Sequence, residues 1–73
     1  MANTTIRMIE MLRHIPREPR KISTSELRDR LAAADFEVTQ RTIQRDLQKL
    51  SAHFPLVSDE RNHPYGWSWS RDA

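Results

Sequence analysis

VTQRTIQRDLQKLS, residues 38–51, reads as one amphipathic helix with a defined start. Thr39 has the side chain of an N-cap residue, and Val38 and Ile43 stand on either side of it as a candidate hydrophobic staple. Ile43, Leu47 and Leu50 recur at i, i+4 and i+7, which places them on one side of a 3.6-residue period. The opposite side carries Arg41, Arg45 and Gln48, flanked by Gln40, Thr42, Gln44 and Lys49. No acidic residue falls there. Asp46 projects beside the apolar stripe, where pairing with an arginine of another helix is expected in preference to chemistry. This inventory suits the reading of DNA. Arginine offers two donors to a guanine edge, glutamine donates and accepts at adenine, and lysine or threonine meets phosphate. A plain solvated helix would more commonly use glutamate on its outer face, and its absence favours the DNA reading.

On the N-terminal side, Ser23 and Glu26 have the spacing of a capping box, with Ile22 and Leu27 placed as a staple. Leu27, Leu31 and Ala34 give the inward stripe of a helix over about 24–34. Asp35-Phe36-Glu37 breaks that pattern and reads as a turn, with Phe36 anchoring it to the core. Further back, Met8, Leu12 and Ile15 recur at i, i+4 and i+7, widened by Ile9 and Met11, in a helix over about 4–15. Pro16 ends it, because proline disfavours helical geometry in the residue before it. PREPRK, residues 16–21, is a rigid basic connector.

On the C-terminal side, FPLVSDERNHPYGWSWS, residues 54–70, reads as two short strands around a loop, the wing spanning about 55–70. Tyr65, Trp67 and Trp69 alternate with Gly66, Ser68 and Ser70, and the stretch from Asp59 to Pro64, including Arg61, Asn62 and His63, forms the tip. The expected fold is mainly helical with a small β-hairpin: three helices and a wing, in the order of a winged helix-turn-helix.

The whole chain bounds the function. It has 73 residues, enough for one modest core, and no cysteine, which removes disulfides and thiolate metal sites. Gly66 is its one glycine, so a glycine-rich phosphate loop is not available. His14, His53 and His63 lack close metal-ligand spacing. These features point away from an enzyme and from a metal or other cofactor. No apolar run approaches a membrane span, and charges at Arg7, Glu10 and Arg13 interrupt the N-terminus, so a cytoplasmic protein is expected. The net charge is +2 but is unevenly spread. Arg7, Arg13, Arg17, Arg20 and Lys21 make residues 1–21 basic, whereas residues 22–37 are acidic and residues 38–51 are basic again. Segregated basic blocks suit a polyanion. Thr24 and Ser25, at the start of the second helix, stand beside unpaired backbone N–H groups that suit one DNA phosphate, and Arg20 and Lys21 just before them read equally as added phosphate contacts or as solvated linker charges.

VTQRTIQRDLQKL at 38–50 resembles the recognition helix of DeoR-like and related winged-helix regulators. Together with KISTSELRDRL at 21–31 and FPLVSDERNHPYGWSWSRDA at 54–73, it resembles the N-terminal domain of WYL-domain transcriptional regulators over nearly the whole chain. The resemblance implies a DNA-reading domain, of a repressor by the habit of that family. It implies DNA-facing roles for Thr39, Gln40, Arg41, Thr42, Gln44 and Arg45, with the loop around Arg61 as wing. The turn departs from the pattern, having Asp35-Phe36-Glu37 where such motifs often have glycine. Ligand sensing belongs to the family's larger C-terminal part and is not assigned to these residues.

Three uses of this surface compete. Duplex DNA is the first partner, met by Gln48 and Lys49 as well as by the residues just named. A protein partner on the third helix would favour exposed apolar anchors, which that face lacks. Single-stranded nucleic acid would need Trp67 and Trp69 exposed as a stacking platform. The domain alone is expected to be mainly monomeric, and dimeric in a full-length regulator that binds two half-sites.

Overall fold

The computed structural model describes residues 4–59, 61 and 66–72. Three helices come first: α1 at Thr4–His14, α2 at Thr24–Ala33 and α3 at Gln40–Ser51. An antiparallel hairpin follows, β1 at Leu56–Asp59 and β2 at Gly66–Trp69. This is the element order of a winged helix-turn-helix. α1 and α2 each end one residue before the expected limit. The expected tip residues Asn62, His63 and Pro64 and the expected strand residue Tyr65 lie outside the described residues.

Local chemistry sets each boundary. The Ser23 hydroxyl accepts from the backbone N–H of Glu26 at 3.1 Å, and the Thr39 hydroxyl accepts from that of Thr42 at 3.2 Å. Both are N-cap bonds that satisfy otherwise unpaired donors. α2 ends in a Schellman motif: Phe36 N–H donates to Leu31 O at 2.8 Å and Asp35 N–H to Ala32 O at 3.0 Å. The motif needs a left-handed residue, and Asp35 supplies it with φ of 68°. Aspartate reaches this region more readily than most residues, which is how the turn forms without glycine. Phe36 is half-buried and packs against the core.

The core is one cluster: Met11 from α1 and Ile15 directly after it, Ile22, Leu27 and Leu31, then Ile43, Leu47, Leu50 and Leu56. Within α1 the inward face is turned from the expected one. Met11 and Ile15 are buried and Met8 and Leu12 only partly, whereas Ile9 is 51% exposed. The cause is Arg7, which shares the buried side of the helix with Met11. Its Nε and Nη2 donate to Asp46 Oδ2 on α3 at 3.1 and 2.7 Å, and the two side chains are 11% and 7% exposed.

The connector after α1 does more than span a gap. Glu18 N–H donates to Trp69 O and Trp69 N–H to Pro16 O, at 2.9 and 2.8 Å. Ile22 and Trp67 exchange both of their backbone bonds, at 2.9 and 2.8 Å. β2 therefore has backbone partners on both sides, β1 on one and the connector on the other. Trp67 and Trp69 pack against the helical core, and Trp69 Nε1 donates to Leu12 O at 3.2 Å. The other side of β2 holds Gly66 and Ser68, both buried. The alkyl chain of Lys21 lies across Gly66 so closely that a Cβ there would sit 2.8 Å from Lys21 Cγ.

Two outcomes follow for stability. Asp46→Asn leaves the Arg7 guanidinium enclosed without its countercharge and costs roughly 3–5 kcal/mol in denaturant unfolding, whereas Arg7→Met combined with Asp46→Leu loses much less. Gly66→Ala overpacks the Lys21 contact and costs about 1–3 kcal/mol. Adding Lys21→Ala, which removes Cγ and Cδ, recovers part of that loss in a thermal melt.

Candidate nucleic-acid interface

The outer face of α3 is built by what its inner face absorbs. Ile43, Leu47 and Leu50 are buried, and Asp46 is buried with them. Gln40, Arg41, Gln44, Arg45, Gln48 and Lys49 are all exposed, and Thr42 is half-buried. Asp46 is the one acid in the helix, so its withdrawal toward Arg7 leaves the exposed face with three cations and no carboxylate.

The structure brings the start of α2 to the start of α3. Thr24 Oγ1 donates to Gln40 Oε1 at 3.2 Å, and Ser25 beside it is exposed. The Thr39 hydroxyl donates to Thr42 Oγ1 at 3.2 Å while accepting from the Thr42 N–H. Thr24, Ser25, Thr39, Gln40 and Thr42 thus form one polar edge where the two helices meet, continuous with Arg41.

Lys21 and Arg61 belong to a second group at the base of the wing. The Lys21 ammonium lies 3.2 Å from Asp59 Oδ2. Asp59 Oδ1 accepts from the Arg61 backbone N–H at 3.0 Å, with Arg61 Nε 3.6 Å away. Lys21 is therefore engaged as a clasp between connector and wing, whereas the Arg61 side chain stays 88% exposed. Arg20 is exposed. Among the described residues no hydrogen bond or ion pair joins this group to the α2–α3 edge. The sequence offered no local signal for the clasp, because Lys21 and Asp59 stand 38 positions apart.

Trp67 and Trp69 are half-buried against the core, and Phe54 meets Trp69 edge-on with ring centres 6.0 Å apart. The rings are packing elements. Among the described residues no cluster of three or more histidines or carboxylates could hold a metal ion, and no helix is long and apolar enough to cross a membrane.

The Arg61 backbone N–H, and after it the Lys21 side chain, hold the Asp59 carboxyl below its ordinary value of 3.8. A carboxyl whose folded value is depressed adds stability above its unfolded value, lost as pH falls through the folded one. The advantage of the parent over Asp59→Asn is thus present above pH 3.8 and disappears as the pH drops below it, measured by denaturant unfolding across the acid range. In comparisons with known proteins, the chain matches no family model, no curated protein and no solved structure.

Proposed function

We propose that this domain binds double-stranded DNA sequence-specifically, as the DNA-reading part of a transcription regulator of the WYL-domain type. One observation carries the reading: the exposed face of α3 is made of arginine, glutamine and lysine, and the single acid of that helix is turned inward onto Arg7. In this reading α3 enters the major groove. Arg41 and Gln44, in its first turns, meet base edges, while Arg45, Gln48 and Lys49 extend the contact along the groove. Ser25 and the free backbone N–H groups at the start of α2 meet one phosphate, the Thr24 hydroxyl being engaged with Gln40, and Arg61 meets the backbone from the wing. Lys21 acts through Asp59, by holding the wing to the connector. The reading as a protein-docking helix has no exposed apolar residue on α3 to serve as its anchor.

Binding to duplex DNA should fall steeply with salt. Four phosphate contacts correspond to a log–log slope of about −3.6. Arg41→Ala should cost roughly 1–3 kcal/mol on the preferred site and relax the preference at one base pair. Arg61→Ala should weaken preferred and scrambled duplexes alike and shallow the slope by about one. Fluorescence anisotropy on both duplexes at several salt concentrations, with a melt of each variant, measures all three. Absence of binding at low salt overturns the reading, and equal weakening of both duplexes by Arg41→Ala reassigns Arg41 to phosphate.

A further inference from the structure

We infer that the first turn of α3 presents hydrogen-bond donors to the DNA, and that Thr24 of α2 imposes this on Gln40, so that Gln40 selects guanine over adenine. The inference rests on the DNA-reading role of α3 and specifies what that surface recognises.

A free glutamine amide is ambivalent. It pairs with adenine by accepting from N6 through Oε1 while donating to N7 through Nε2, which needs both atoms turned side by side toward the base. Gln40 is not free. The Thr24 hydroxyl donates to its Oε1 at 3.2 Å, which turns the carbonyl toward α2 and leaves Nε2, with two N–H groups, as the atom directed away from it. The neighbouring residues share this bias. Arg41 has no acceptor at all. The Thr42 hydroxyl accepts from Thr39 with one of its two lone pairs and keeps its own hydrogen to offer, and the Thr39 hydroxyl is used in both directions.

Base edges in the major groove differ in this property. Guanine shows two acceptors, N7 and O6, thymine shows the single acceptor O4, adenine shows an acceptor beside a donor, and cytosine shows a donor. A donor-presenting Gln40 therefore ranks guanine first, thymine next and cytosine last. Thr24 is a positioning residue here. It acts on the base through Gln40.

The test is selection of duplexes from a randomised library by the 73-residue chain and by Gln40→Ala, Thr24→Val, Thr24→Ser and Gln40→Glu. The position at which Gln40→Ala loses preference marks the base read by Gln40. The parent should hold guanine there over adenine by about 5- to 150-fold, the range of one good base contact. Thr24→Val keeps the shape of the side chain but not its hydroxyl, and should move that one position toward adenine while the others stay unchanged. Thr24→Ser should keep guanine. Gln40→Glu exchanges the donors for an acceptor and should move the position to cytosine, independently of how well Thr24→Val folds. Adenine selected by the parent overturns the inference, and so does an unmoved guanine in a Thr24→Val variant that melts like the parent. Guanine retained by Gln40→Glu overturns it as well. If the parent enriches sequences but Gln40→Ala relaxes no position, the inference falls and the DNA reading stands. If the parent enriches nothing, both fall.

Discussion

The Asp46 carboxylate, enclosed against the Arg7 guanidinium, sets both the seating of α3 and the charge that α3 shows. A carboxylate withdrawn from water needs a partner with matching donors, and Arg7 is the one that α1 brings within reach. The pair consequently orients α1 as well: Arg7 must face inward, so Met11 and Ile15 become the centre of the buried stripe and Ile6 and Ile9 turn outward. The same contact removes the one negative charge that would repel a polyanion from the helix. Packing and electrostatics are here consequences of a single interaction.

The rest of the domain arranges polar edges around that helix. The Schellman turn at Asp35 sets how α3 leaves α2, and it brings the first turns of both helices close enough for Thr24 to reach Gln40. Asp59 does similar work in the wing, gathering the connector's Lys21 and the Arg61 backbone onto one carboxylate. In both places a short polar side chain fixes the geometry between two segments, and in both the partners come from opposite sides of a chain reversal.

Most of the fold was legible in the sequence because its signals are local. Caps at Ser23 and Thr39, the stripe of Ile43, Leu47 and Leu50, and the stop at Pro16 all act within one or two helical turns. The turn was legible too, since Asp35 tolerates the left-handed conformation that glycine usually supplies. What stayed hidden was set by distant partners. The α1 stripe was centred on its apolar residues, because nothing nearby shows that Arg7 would be drawn inward by a residue 39 positions away. PREPRK looked like a linker because it lacks the alternation of a strand, yet its backbone pairs with β2. Of the candidate surface, the polar face of α3 could be read from its period. The separate engagement of Lys21 could not, because a lone lysine carries no sign of which acid it will find.

The pairing of β2 with the connector has a consequence for the order in which the domain becomes native. The longest side-chain bond between the helices, Arg7 to Asp46, joins residues 39 apart, whereas the bond from Trp69 to Leu12 joins residues 57 apart. Long-range closure carries a larger entropic cost and is slow relative to helix formation. The ordering of the connector therefore waits on the strand that completes it, and the seam between α1 and the sheet is sealed in a late step. During synthesis that strand leaves the ribosome after all three helices, so the side of the core that Trp67 and Trp69 pack against is the last to be closed.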